Sequence, residues 1–236
     1  AGKHLKKCVL ELGGSNAFII LEDANLEKAV TTAVNARMQN AGQSCIAAKR
    51  FLVHENIVKE FIDKFKIAIQ NLKTGNPLDK ETQIGSLARV DLAEELAAQV
   101  QKSILMGAKL IIGGNRKEAF YEPTILTNVS TEMPVFNQET FGPLAAIITF
   151  KTIEEAIELS NKSEFGLGVS IFTQDIDFIK TKISAFNEGA VFINEMVKSD
   201  PRLPFGGIKK SGYGRELAED GIKEFVNVKT VVINSI

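Results

Sequence analysis

Leu144-Ala145-Ala146-Ile147-Ile148-Thr149-Phe150, followed by Ile153 to Asn161 and then by Val169-Ser170-Ile171-Phe172, decides the fold. The two apolar runs read as strands, and the segment between them reads as a helix. The same alternation extends in both directions. Upstream lie strands at Ala17–Leu21, Arg50–His54, Lys109–Ile112 and Tyr121–Leu126. Between them, Leu26, Val30, Ala33, Val34 and Met38 recur at helical spacing, with Asp23 or Asn25 as the N-cap and Gly42 as the end. Two more amphipathic segments, Ile57–Leu72 and Val90–Met106, predict helices closed by Gly75-Asn76-Pro77 and by Gly107. Downstream come a helix over Asp175–Phe186 and a strand over Ala190–Asn194. Pro134–Pro143 and Lys198–Gly214 read as irregular. A short helix near Glu216–Ile222 and a strand at Val226–Ile233 end the chain. Strands alternating with helices predict an α/β fold with a mostly parallel sheet flanked by helices. The last strand has no hairpin partner nearby, so its open edge predicts pairing with another segment or another chain.

Composition removes several classes of function. The chain has 236 residues, 44% hydrophobic and 24% charged, the balance of an ordinary globular protein and not of a disordered or fibrous one. Its formal net charge of −1 implies no basic face, so neither nucleic acid nor an anionic membrane is an expected partner. The longest apolar runs are far shorter than a membrane-spanning helix requires. Ala1 to Lys7 carries charge but no apolar stretch, so no secretory signal is read there, and the missing initiator Met fits a processed or trimmed chain. Two cysteines, two histidines and no CxxC or HExxH pattern predict a reduced, cytoplasmic protein without a metal.

Four clusters could carry chemistry. Cys45 lies in Gly42-Gln43-Ser44-Cys45-Ile46, after one helix and in a glycine-shaped turn read as a helix start, where backbone N–H groups favour a thiolate. Taken alone, it reads rather as a buried thiol acting as a small hydrophobe, as Cys8 does on its strand beside Val9. Glu11 interrupts Val9-Leu10-Glu11-Leu12 just before Gly13-Gly14, where a parallel strand would open on a cleft. A carboxylate among apolar neighbours suits a general base, and a strand-end glutamate facing solvent fits the alternation as well. Glu139 and Phe141, two apart on an extended segment, would project to one side, as a nucleoside site or as a plain surface loop. Pro201 to Gly207 is either a pocket wall or a proline-stiffened connection. Gly212-Tyr213-Gly214 lacks the third glycine and the preceding strand of a dinucleotide loop.

Together, Leu10-Glu11-Leu12-Gly13-Gly14, Gly42-Gln43-Ser44-Cys45, Glu139-Thr140-Phe141-Gly142-Pro143 and Pro204-Phe205-Gly206-Gly207 resemble the aldehyde dehydrogenase superfamily, in its order and spacing. The loop Val197 to Gly207, with Lys210 to Glu216, is most similar to that of succinate-semialdehyde dehydrogenases. The resemblance implies Cys45 as the nucleophile and Glu11 as the base that activates water against a thioester, with the hydride passing to NAD or NADP. It implies Leu12, Glu139 and Phe141 as cofactor-binding residues, and Ser44, Ile46, Ser199, Arg202 and Phe205 as substrate-binding residues. The implied substrate is a small aldehyde, succinate semialdehyde within the family, oxidised to the free acid. The family's chains are about twice this long, which implies a C-terminal catalytic half. Residues 1–14 would then be the last strand of the nucleotide-binding domain, 15–222 the catalytic domain and 223–236 an oligomerisation strand. The implied parent is a dimer or tetramer. The alternative is a separately folded module, inactive without the cofactor-binding domain.

Overall fold

A computed structural model of the chain describes residues 1–235. A seven-stranded sheet runs in the spatial order Val191–Ile193, Val169–Phe172, Asn16–Ile20, Ala48–His54, Leu144–Phe150, Thr124–Thr127 and Lys109–Ile112. Every neighbouring pair is parallel except the edge pair of Lys109–Ile112 with Thr124–Thr127. Asn16–Ile20 and Val169–Phe172 are buried at every position, as expected of parallel strands covered on both faces. Helices Leu26–Met38 and Val58–Gln70 pack on each other and on the sheet. Asn25 caps the first of these by accepting the Lys28 N–H at 3.0 Å. Phe18, Phe51, Phe61, Phe65 and Phe172 form the aromatic centre of the core.

Several expectations are corrected. Pro123 has no N–H for a ladder, so the strand expected at Tyr121–Leu126 splits. Phe120–Tyr121 pairs with Arg116–Lys117 in a small hairpin, and Thr124–Thr127 joins the sheet. The helix expected at Asp175–Phe186 stops at Lys180 and resumes as a single turn at Ile183–Ala185. Part of the irregular Pro134–Pro143 segment is a short helix, Pro134–Asn137, started by proline at its first position. Leu10–Glu11 is not the end of a parallel strand. It pairs antiparallel with Gly212–Tyr213 in a two-stranded ribbon separate from the main sheet. The terminal helix is Ala218–Lys223. The strand expected at Val226–Ile233 is not formed: within the described residues these positions have no ladder partner and are exposed.

The loops at the amino ends of the central strands are held by a cation from the first helix. Arg37 is fully buried and donates to the carbonyls of Ala48 (3.0 Å), Gly42 (3.1 Å) and Thr140 (3.2 Å), and also to that of Gly142. Burial pushes its pKa down to about 9. Removing the guanidinium strands these carbonyls, and an unmet buried polar group costs about 1–3 kcal/mol. Arg37→Met should therefore destabilise the chain by about 3 kcal/mol or more, and lower its Tm by about 10 °C. A calorimetric Tm within about 2 °C of the wild type would contradict this assignment.

Candidate active site

The turn that carries Cys45 begins where the first helix ends. After Met38 the chain turns through Asn40, Ala41 and Gly42, all at positive φ (51°, 52° and 74°). Such a conformation is uncommon for alanine and marks stored strain of about 1–3 kcal/mol at Ala41. Side-chain bonds brace it: Asn40 Nδ2 donates to the Gln43 carbonyl at 2.9 Å, and Gln43 Oε1 accepts the Ala88 N–H at 2.8 Å. A Cβ at Gly42 would collide with the Gly142 carbonyl, so both torsion and space require glycine. Cys45 then sits half-buried in a turn that runs into the strand Ala48–His54. The helix start expected at Cys45 is absent, because a strand follows, and with it goes the helix-terminus argument for the thiol.

Gly14 brings the neighbouring strand's leader against this turn. A Cβ there would overlap the Cys45 carbonyl, so only glycine permits the approach. The Gly14 N–H donates to Glu139 Oε1 at 3.0 Å. Lys49 completes the junction. Its buried ammonium donates to the carbonyls of Ser44 (3.0 Å) and Cys45 (3.1 Å), and lies 3.2 Å from Glu139 Oε1. Desolvation, and then Arg37, lower its pKa to about 8, against the pull of Glu139 and Cys45. The ammonium is 6.0 Å from the centre of the Phe141 ring, so Glu139 and Phe141 do share a side, as their spacing predicts. Asn16 ties the far end of the turn, donating to the Ile46 carbonyl at 3.0 Å.

Glu139 and Phe141 open on a cavity of about 400 Å³, lined also by Leu92, Glu95, Leu96, Gln99 and Gln138. Its carboxylates and amides can meet the hydroxyls of a sugar, and Phe141 with the two leucines can meet the ring of a nucleoside. Leu12 is half exposed, and its N–H donates to the Ser211 carbonyl at 3.0 Å.

Glu11 is set apart from the Glu139 junction. Gly206 packs closely against its carboxylate, whose two oxygens are buried with no donor in hydrogen-bonding geometry. Burial raises its pKa and the Glu216 carboxylate adds to the rise, while the Gly207 amide and the Arg215 guanidinium draw it back. A buried carboxylate with unused lone pairs is ready to accept a proton.

The Val197–Gly207 loop is less decisive. Ser199 and Arg202 are exposed, and neither hydrogen-bonds to the Cys45 turn. Arg202 is held by Asp200, through Nε at 2.9 Å and Nη2 at 2.6 Å, which keeps the Asp200 carboxyl well below the usual range. Lys198 pairs with Glu195 at 3.0 Å. Phe205 pairs with Glu216 through backbone bonds and lines a cavity of about 440 Å³ with Phe192, Glu195, Lys198 and Leu203.

Sequence reasoning missed Lys49 and Arg37. For Lys49 a signal existed: Lys49-Arg50 adjoins Phe51-Leu52-Val53, and alternation sends adjacent strand residues to opposite faces, so both cations cannot face solvent. Arg50 is also buried, donating to the carbonyls of Ser15, Leu159 and Ser160.

Comparison with known proteins follows the same contour. Residues 1–231 match the profile of the Aldehyde dehydrogenase family. The succinate semialdehyde dehydrogenase [NAD(P)+] Sad of Escherichia coli (strain K12) is 50% identical over 98% of this chain and 51% of its own length. A probable succinate-semialdehyde dehydrogenase [NADP(+)] of Synechocystis is 50% identical over 99% of this chain and 52% of its own. The crystal structure of a Streptococcus pyogenes succinic semialdehyde dehydrogenase in complex with NADP+ superposes with a TM-score of 0.95 at 39% identity, covering 100% of this chain and 52% of that one. The chain spans about half the length of the curated relatives it matches. With this sequence match running through the Glu11, Cys45 and Glu139 segments, the chain belongs to the aldehyde dehydrogenase family.

Proposed function

We propose that this chain is the catalytic half of an NAD(P)-dependent enzyme that oxidises an aldehyde, succinate semialdehyde in particular, to the free acid. The observation that carries the reading is the junction at Gly14, where the Cys45 turn and the Glu139 carboxylate share contacts. On this reading residues 1–14 belong to the nucleotide-binding domain, 15–222 to the catalytic domain and 223–236 to an oligomerisation segment of a cytoplasmic dimer or tetramer. The exposed Val226, Val228, Val231, Val232 and Ile233 support the last assignment.

Cys45 is the nucleophile: its thiolate attacks the aldehyde carbon, and its own N–H donates to the developing oxyanion. A bound nicotinamide dinucleotide supplies the hydride acceptor, and Glu139 and Phe141 would hold its ribose and ring, with Leu12 close by. Glu11 takes a proton from water, which hydrolyses the Cys45 thioester. Glu11, with no donor in hydrogen-bonding geometry, suits proton transfer, and donor-bound Glu139 suits holding.

In an intact enzyme carrying these residues, Glu11→Gln should preserve a rapid burst of NAD(P)H and slow the steady rate that follows by about 10²-fold or more. The wild-type steady rate should fall as pH drops through the raised Glu11 pKa, a limb set above the ordinary carboxylate range, and Glu11→Gln should abolish that limb. Stopped-flow absorbance at 340 nm reads both, and loss of the burst in a folded variant would place Glu11 earlier in the reaction.

The 236-residue chain alone should reduce no NAD(P)+ at a measurable rate. Positioning of the reactants supplies about 7–11 kcal/mol of the lowered barrier, and half of the matched length is what the relatives add. Robust NADPH production by the pure chain would refute the division of labour.

For the substrate, Ser44 and Ile46 flank the nucleophile, while Ser199, Arg202 and Phe205 lie in the loop proposed to line the aldehyde tunnel. A charge-assisted bond to the distal carboxylate is worth about 1.5–3 kcal/mol, or one to two decades in kcal-to-rate terms. Succinate semialdehyde should exceed butanal in kcat/KM by about that factor. Because Arg202 is already bound by Asp200, Ser199→Ala should erode the preference more than Arg202→Ala. Equal kcat/KM for the two aldehydes would end this substrate assignment.

A further inference from the structure

Lys49 touches both halves of the site. Its ammonium has three protons, and the carbonyls of Ser44 and Cys45 and the Glu139 carboxylate take them at 3.0, 3.1 and 3.2 Å. Burying an ammonium is expensive, and a methionine of similar length would fill the same volume more cheaply. Packing therefore does not account for a cation here, whereas its acceptors do. Two lie in the nucleophile's turn, and the third is the carboxylate at the mouth of the nucleoside-sized cavity. Without Lys49, Glu139 would keep only the Gly14 N–H, and the strained turn would lose two anchors.

We propose that Lys49 is a positioning residue: it ties the backbone of Cys45 to the carboxylate of Glu139 and so fixes the nucleophile relative to the arm that holds the cofactor. The assignment rests on the reading of Cys45 and Glu139 given above. It makes Lys49 and Glu139 one unit, so their removal should not be additive.

The test is a double-mutant cycle in an intact enzyme carrying these residues, read by NADPH fluorescence titration and by aldehyde kinetics. Lys49→Met and Glu139→Gln should each weaken NADPH binding about tenfold, or 1.4 kcal/mol. The double variant should be no more than about twofold weaker than either single one. Lys49→Met should also lower kcat more than it raises the aldehyde KM. Losses that multiply to about a hundredfold, or wild-type NADPH binding in Lys49→Met, would overturn the proposal. Should Lys49→Met fail to fold, Lys49→Arg and Lys49→Gln decide the matter: the first should retain NADPH binding within about threefold and the second should lose about tenfold. Equal losses in those two variants would overturn it as well. A wild-type enzyme that binds NADPH but oxidises no aldehyde would defeat the functional reading while leaving the cycle readable by fluorescence. Absence of NADPH binding in the wild type would defeat both.

Discussion

Buried cations bonded to backbone carbonyls hold the amino ends of this parallel sheet together. A ladder satisfies a strand's own polar groups but not those of the turn that leads into it. Arg37 serves the turns before Ala48–His54 and Leu144–Phe150, Lys49 serves the Cys45 turn, and Arg50 joins Ser15 to the end of helix Ile153–Asn161. Each of these side chains is fully buried, with carbonyl oxygens as its principal acceptors. The strand leaders that bring Gly14, Cys45 and Glu139 together are thus fixed by side chains from within the core.

The arrangement separates two carboxylates by their surroundings. Glu139 is met by an amide N–H and an ammonium, so its oxygen is committed. Glu11 packs against Gly206 with no donor in hydrogen-bonding geometry, and burial raises its pKa against the weaker pull of the Gly207 amide and Arg215. Two acids in contrasting environments suit two roles, one holding and one exchanging protons. The division follows from where each segment lies: Glu139 precedes a strand of the main sheet, and Glu11 sits on a ribbon outside it.

Much of this was legible in the sequence. Apolar runs located every strand of the seven-stranded sheet to within a few residues, most sharply the central ones, because buried parallel strands are continuous apolar runs. The 139–141 spacing correctly put Glu139 and Phe141 on one side. Features set by tertiary contact were not legible. Arg37 carries no signal of its burial, because periodicity cannot see carbonyls that arrive from a segment a hundred residues away. The direction of the Leu10–Glu11 pairing depends on Gly212–Tyr213, a segment with no strand pattern of its own. The strand expected at Arg50–His54 begins two residues earlier, at Ala48, and leaves no room for a helix to start at Cys45.

The two groups proposed to react are anchored unequally. Cys45 lies between Gly42 and Ala48, whose carbonyls accept from buried Arg37, and its own carbonyl accepts from buried Lys49. Glu11 belongs to a ribbon two residues long, and an isolated two-stranded ribbon is marginal by itself. The bond from Leu12 N–H to the Ser211 carbonyl and the packing of Gly206 support it, while Leu10, Leu12 and Tyr213 on the same ribbon remain exposed. Local stability follows burial and internal hydrogen bonding, so the ribbon should open more readily than the Cys45 turn. A nucleophile that must meet one carbon needs the first kind of support. A base that serves only after a covalent bond has formed tolerates the second, and a less firmly held carboxylate can reach water that a fixed one would exclude.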